Sequence, residues 1–428
     1  MKTIAIFDIG KTNKKLLLFN EQYEVVYQYS EELAETKDED GFPCEDLDAL
    51  HQFLKNSLES VKNNPDFDMV AVNFSGYGAS FVYLDENGKV LKPLYNYLKP
   101  FSENLRSQFI EDYGQDERLS AETASPFLGN LNSGLQLYRL KYEKPEYFKS
   151  IKYALHFPQY LAYYFGADPV TELASIGCHT RLWHFEDNAY HPWVNQEGLT
   201  SLFPPIYASD TVFNKDELVI GSGLHDSSAA LIPYLRSTTM PFLLISTGTW
   251  SICLNPFNNT PLTTDQLRQD CLSFISFEGH QVKASRLFAG QMHEDATLAI
   301  AAHFECENDF FKKLKPEGEW LIHNAFALNK LEDYANEKEA YEAFMSSLVH
   351  RQIAAIRLVL TPQIKQIFVD GGFSKNPYFL QGLKETFPEI NIYAAGLAQA
   401  SALGAALVIH EKWNAWPLPQ NLINLQRV

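Results

Sequence analysis

The strongest constraint on this chain is a hairpin pattern that occurs twice. Thr3–Phe7 is an apolar, β-rich run, Asp8–Lys14 is polar, and Lys15–Phe19 is apolar again, which predicts a hairpin with a polar tip. Far downstream, Phe242–Ile245 is apolar, Ser246-Thr247-Gly248-Thr249 is small and polar, and Ser251–Leu254 returns to a strand-like run. Two such hairpins, each opening a domain, predict an internal structural duplication. No repeat of shorter period is present. At 428 residues the chain exceeds what one hydrophobic core usually organises. The junction is placed at Arg236–Pro241, giving an N-terminal domain 1–236 and a C-terminal domain 237–428.

Between and beyond the hairpins the pattern alternates strands with helices, the signature of an α/β class. Met69–Phe74 reads as a buried strand, and Phe81–Leu84 and Val90–Pro93 flank a tight turn at Asp85-Glu86-Asn87-Gly88. Leu105–Tyr113, Gly134–Tyr142 and Ala340–Val359 have helical spacing. Ile367–Val369 reads as a short strand, followed by Asp370-Gly371-Gly372 and a helix from about Pro377. The tail from Trp413 onwards carries Trp, Pro and Leu, so it is expected to dock rather than dangle.

Composition removes several classes of function. Hydrophobic residues at 46% and charged residues at 21% describe a globular chain. The formal charge of −18 argues against a nucleic acid partner, which calls for a basic face. It also repels a free nucleotide, so a nucleotide site must build local positive potential from backbone N–H groups, a few lysines or arginines and a divalent cation. Cys44, Cys178, Cys253, Cys271 and Cys306 are odd in number, scattered, and form no CxxC pair, which suits a reducing cytosol. No stretch approaches the ~20 apolar residues of a membrane span, and the N-terminal run is too short for a signal segment. The expected location is the cytoplasm.

Four motifs carry residues suited to phosphoryl transfer, which needs donors for phosphate, a cation, a positioned nucleophile and a base. In the first tip, Gly10 permits close backbone approach, Thr12 and Asn13 offer donors, Lys15 offsets phosphate charge, and Asp8 is a ligand for Mg²⁺ through water. In the second, Gly248 and Thr249 suit another phosphate clamp. Gly371, Gly372 and Asn376 allow a flat or anionic ligand to approach. In His225-Asp226 the carboxylate is ionised at neutral pH and able to accept a hydroxyl proton. Each motif has an ordinary structural explanation when judged alone, and for Asp226 by itself a helix N-cap is the commoner role. Neither a GxxxxGK[ST] loop nor a GxGxxG fingerprint is present.

Taken in order, Asp8-Ile9-Gly10, Gly223-Leu224-His225-Asp226, Ser246-Thr247-Gly248-Thr249-Trp250-Ser251 and Asp370-Gly371-Gly372 with Asn376 resemble the FGGY carbohydrate kinases of the actin-like ATPase superfamily. Ala400-Ser401-Ala402-Leu403-Gly404-Ala405-Ala406 is similar to a late helix of that family. The resemblance implies two ribonuclease-H-like domains flanking a deep cleft, with sugar bound mainly by the first and nucleotide mainly by the second. It implies ATP and Mg²⁺ as the cofactors and a small sugar as the acceptor, with Asp226 as general base. Gly78, Ser80, His225 and Ser227 are then the expected sugar contacts, and a homodimer is admitted among the partners.

Within the family, the His225-Asp226 and Gly248-Thr249-Trp250-Ser251 stretches are most similar to rhamnulokinases, which act on L-rhamnulose; fuculose, xylulose and polyols follow as acceptors. Departures fall at Tyr77 and Ser80, where the family usually has Trp and Asp, at Lys11-Thr12-Asn13, at Leu287 and Asp295, and at Gln399, which replaces a frequent glutamate. Two other readings remain: an actin-like switch ATPase, and a non-catalytic sugar sensor.

Overall fold

The fold is a computed structural model that describes every residue except 115, 319, 322–329 and 398. Among the described residues, two seven-stranded sheets repeat one plan. In the first, Lys2–Ile9 pairs antiparallel with Asn13–Asn20 and parallel with Asp68–Gly76. Val25–Glu32 extends the hairpin on one side, while Leu218–Gly221 and Leu224–His225 run parallel to Asp68–Gly76 on the other. In the second, Phe242–Thr247 pairs antiparallel with Ser251–Asn255 and parallel with Gln366–Gly371, which is followed by Asn391–Ala395. Gln281–Leu287 lies beside Ser251–Asn255, with Cys271–Ile275 outermost. The expected duplication is present.

The first tip is tighter than the sequence suggested. Cross-strand pairing continues to Asp8 opposite Lys15 and Ile9 opposite Lys14, and the Gly10 amide closes the turn on the Asn13 carbonyl at 3.0 Å. The expected helices also start earlier, at capping residues. Ser102 accepts from the Leu105 amide and starts Glu103–Tyr113, and Asn336 accepts from the Glu339 amide and starts Glu337–Val359. The tail docks as expected: Trp413 is buried, and Leu425–Arg427 pairs with Asn391–Ala395.

One helix from the far end of the chain departs from the sequence boundary of the domains. Ala400–Val408 buries Ala402, Leu403, Ala405 and Ala406 among Ile4, Ile6 and Leu17 of the first sheet and Ala229 and Ile232 of the helix Asp226–Ser237. The Asn73 side-chain amide donates to the Ala405 carbonyl at 2.7 Å. The approach of the two helices depends on small residues. A Cβ at Gly404 would stand 1.8 Å from the Ala229 carbonyl oxygen, so no larger residue fits without separating them. Gly404→Val is therefore expected to destabilise the protein by about 1–3 kcal/mol or more in urea unfolding, whereas an equal loss of stability is not expected from the exposed Gly396, where an added Cβ meets nothing.

Candidate active site

Parallel register brings distant residues to one edge. Asp8 lies beside Ser75 on Asp68–Gly76, and Leu224 and His225 lie beside Ser75 and Gly76 on its other flank. Asp8, the turn Tyr77-Gly78 and the pair His225-Asp226 therefore leave the sheet at the same end. His225 is the N-cap residue of Asp226–Ser237, so Asp226 occupies the first helical position rather than the cap. Its Oδ1 accepts the Ser227 amide at 2.6 Å and the Ser227 hydroxyl at 3.3 Å, and lies 3.2 Å from His225 Nε2. Ser227, expected at the sugar, is thus engaged with the Asp226 carboxylate.

The electrostatics follow from burial. Desolvation lifts the Asp226 carboxyl to about 6, with the Ser227 donors opposing the rise. Desolvation also raises Asp8, and the nearby Asp226 charge adds to it; Lys15 and Ser401 act the other way. The Ser401 hydroxyl lies 3.1 Å from both Asp8 oxygens, so the helix from the chain end reaches the first tip. Burial holds His225 down at about 3, leaving a neutral ring.

Around Asp226, the site differs in detail from expectation. Gly78 lies against the His225 ring and the Cys178 thiol, and Cys178 Sγ is 2.9 Å from His225 Nε2. Phe274, from the second sheet, stacks on His225 with ring centres 6.1 Å apart. Ser80 is only 1% exposed, which puts it behind the turn rather than on an open wall. Tyr97, half-buried and close enough to Asp226 for its charge to act on the phenol, carried no motif in the sequence.

On the other side, the second tip rests on a helix start and a glycine loop. The Gly290 and Gln291 amides approach the Thr249 carbonyl at 3.0 and 3.3 Å, and the Phe373 amide donates to Thr247 Oγ1 at 3.0 Å. Gly248, Gly372 and Asn376 line one cavity of about 470 Å³ together with Gly290, His293 and Phe311. Gly371 lies just behind it, its strand-end backbone packed on Thr247. Thr249 itself is exposed at the tip.

Known proteins were compared with this arrangement. A model of the FGGY family of carbohydrate kinases, N-terminal domain, matches residues 3–225, and one of the carbohydrate kinase FGGY C-terminal domain matches residues 239–417. The chain belongs to the FGGY family of carbohydrate kinases. Members phosphorylate sugars with ATP. It is 26% identical to a rhamnulokinase of Halalkalibacterium halodurans over 57% of this chain and 52% of that one, so this match spans about half the relative. It is also 26% identical to a rhamnulokinase of Mannheimia succiniciproducens over 94% of this chain and 88% of that one. The crystal structure of a carbohydrate kinase from Novosphingobium aromaticivorans superimposes with a TM-score of 0.80 at 22% identity, covering 99% of this chain and 96% of that one.

In this FGGY kinase the first tip is braced from below by a feature the sequence concealed. Lys14 is 1% exposed; its ammonium donates to the Gly10 and Lys11 carbonyls at 3.1 and 2.9 Å and pairs with Glu45 at 2.6 Å. Tyr77 donates to the same carboxylate at 3.3 Å. Thr12 and Asn13 remain exposed above this brace, and Lys15 approaches Gln399 Oε1 at 3.5 Å. Phe311, His293 and Gly290 were likewise missed, since an aromatic or glycine within a helical or polar stretch carries no distinctive spacing.

Gly290 gives the sharpest test of the cavity. A Cβ there would stand 1.9 Å from the Gly248 carbonyl oxygen and force the second tip outward. Gly290→Ala is expected to raise the KM for ATP at least ~10-fold while leaving the KM for sugar within about twofold, measured by steady-state kinetics.

Proposed function

We propose that this protein transfers the γ-phosphoryl group of ATP to a hydroxyl of a small ketose, L-rhamnulose foremost, with Asp226 as general base. The observation that carries the assignment is the Asp226 carboxylate itself, raised to about 6 and standing at the strand ends that also present Asp8, Gly78 and His225. A base of that affinity is ionised at neutral pH yet holds a proton better than an ordinary aspartate. His225 stays neutral, so it offers the sugar hydrogen bonds and no competing charge. Thr12, Asn13 and Lys15 act on the phosphates from the first tip and Gly248 and Thr249 from the second. Gly371, Gly372 and Asn376 bound the nucleoside side.

Two desolvated carboxylates within electrostatic reach, Asp8 and Asp226, are the right donor chemistry for Mg²⁺. Asp8 would hold the ion through water, and the bound ion would offset charge on the phosphate oxygens. Ser401 keeps the Asp8 carboxylate oriented for this.

The acceptor hydroxyl loses its proton to Asp226 as its oxygen attacks the γ-phosphorus, and ADP leaves. Fuculose, xylulose or a polyol is the second choice of acceptor, because Tyr77 and Ser80 depart from the family pattern and Ser80 is almost wholly buried. A coupled ADP-release assay across ketoses and polyols decides among them, with the highest kcat/KM expected for L-rhamnulose. ATP turnover independent of every sugar would overturn the kinase assignment in favour of a switch ATPase.

Two further outcomes follow from the base. Asp226→Asn is expected to bind ATP and to lose at least ~10²-fold in turnover. Because burial raises this carboxyl from 3.8 to about 6, its ionisation costs stability as pH rises between those values and the full cost stands above about pH 6, so the asparagine variant should melt no lower than the parent at pH 8. In the parent, kcat/KM for sugar should fall about tenfold per pH unit below about 6 as Asp226 takes up a proton. A flat profile down to pH 5 would remove Asp226 from the role.

A further inference from the structure

Away from the cleft, one group of side chains in the first domain has a chemistry that phosphoryl transfer does not use. Glu122, His184 and His191 each offer one ligand atom, and these atoms all lie within 4.8 Å of one another. Glu122 ends the helix Asp116–Glu122, His184 stands in the small hairpin Trp183–His184/Ala189–Tyr190, and His191 is the N-cap of Pro192–Gln196. Three separate elements thus aim two imidazoles and a carboxylate at one point.

We propose that Glu122, His184 and His191 form a binding site for a borderline divalent cation of the Zn²⁺ type, with water as the fourth ligand. Two imidazoles and one carboxylate with one open position is a donor set such ions accept. Bonds of about 2.0–2.1 Å in a tetrahedron place donor atoms about 3.4 Å apart. The His191 Nε2–Glu122 Oε2 separation of 2.9 Å must open slightly, and the wider spacing, at most 4.8 Å, must close by up to about 1.4 Å to reach the tetrahedral value. The Glu122 carboxylate, 29% exposed, has the freedom to move. A space of about 300 Å³ bounded by Arg118, Glu122, His184 and His191 admits the ion and its water.

The outer contacts also fit. Asp187 Oδ2 lies 3.3 Å from His184 Nδ1, the carboxylate–imidazole pairing that orients a metal-binding ring. This leaves Nε2 of His184 for the ion. Without metal, the Asp187 amide donates to His184 Nδ1 at 3.1 Å and the Trp193 amide to His191 Nδ1 at 3.3 Å, so both rings carry their proton on Nε2. Binding moves each proton from Nε2 to Nδ1 by exchange with solvent; the Asp187 and Trp193 amide contacts to Nδ1 then open, and His184 donates its Nδ1–H to the Asp187 carboxylate. Arg118, 3.7 Å from the Glu122 carboxylate and 63% exposed, is the cation that must give way.

The site would stiffen a segment that touches the other domain. The Glu122 carbonyl accepts from the Phe185 amide at 3.0 Å, and the Ala124 carbonyl accepts from Ser273 in the second sheet at 3.1 Å. An ion fixing Glu122 to the hairpin therefore braces the wall on which the second sheet leans.

The test uses the full-length chain stripped with EDTA and titrated with Co²⁺ and Zn²⁺ in excess Mg²⁺, followed by calorimetry and by the visible absorption of Co²⁺. One ion per chain, with the absorption of a low-coordinate site and a raised Tm, is expected. His184→Ala should abolish both the absorption and the rise in Tm that the ion produces. Asp187→Asn, which alters an exposed side chain and so keeps the fold, should weaken binding by ~10–100-fold. The proposal is overturned by absence of the absorption, by displacement of Co²⁺ with Mg²⁺, or by binding that survives both substitutions.

Discussion

The approach of the Ala229 carbonyl to Gly404 is the contact on which the rest of this molecule depends. It lets a helix from residues 400–408 lie directly on the helix that begins with Asp226. That position carries Ser401 onto Asp8 and the Ala405 carbonyl onto Asn73. Asp226, Asp8 and the first tip are therefore referenced to one packed pair of helices rather than to separate loops. The run Ala400-Ser401-Ala402-Leu403-Gly404-Ala405-Ala406 makes sense in these terms: small residues buy proximity, and proximity fixes the distance between two carboxylates that repel.

Asp226 owes its raised proton affinity to burial rather than to that repulsion. A carboxylate desolvated without a full partner charge keeps a raised proton affinity, which an N-cap in open solvent would not have. Asp226 has its Ser227 donors and a neutral histidine beside it, and neither cancels the effect of burial. Phe274 matters here, because it comes from the second sheet and stacks on His225. The ring next to Asp226 is held by a side chain of the second sheet, so the two halves of the molecule share a structural element there.

What was legible in the sequence was what local pairing fixes. Both hairpins could be read because their strands are adjacent in the chain and their tips are small and polar. The helices Glu103–Tyr113 and Glu337–Val359 could be read from spacing, with ends set by caps that pattern alone does not locate. Val25–Glu32 could not be read, since most of its side chains are exposed and it lacks an apolar alternation. Lys14 looked like one more turn lysine; only the arrival of Glu45 and Tyr77 from elsewhere makes it a buried brace. Cys178, Phe274, His293 and Phe311 are of the same kind. Each becomes part of a pocket through contacts remote in sequence, and no spacing rule encodes such contacts.

The division of labour between Lys14 and Lys15 then resolves a difficulty posed by a chain of net charge −18. Lys14 has its charge taken by Glu45 beneath the tip, so it adds little to the potential above it. Lys15, opposite Asp8 in the hairpin, reaches Gln399 only at 3.5 Å. A glutamate at 399 would pair with Lys15 and set a third carboxylate beside Asp8 and Asp226. Glutamine offers a neutral oxygen instead. The departure from the family pattern at this position therefore keeps a further carboxylate away from Lys15, whose charge faces Asp8, and positive potential is what an acidic protein is least able to supply from its surface.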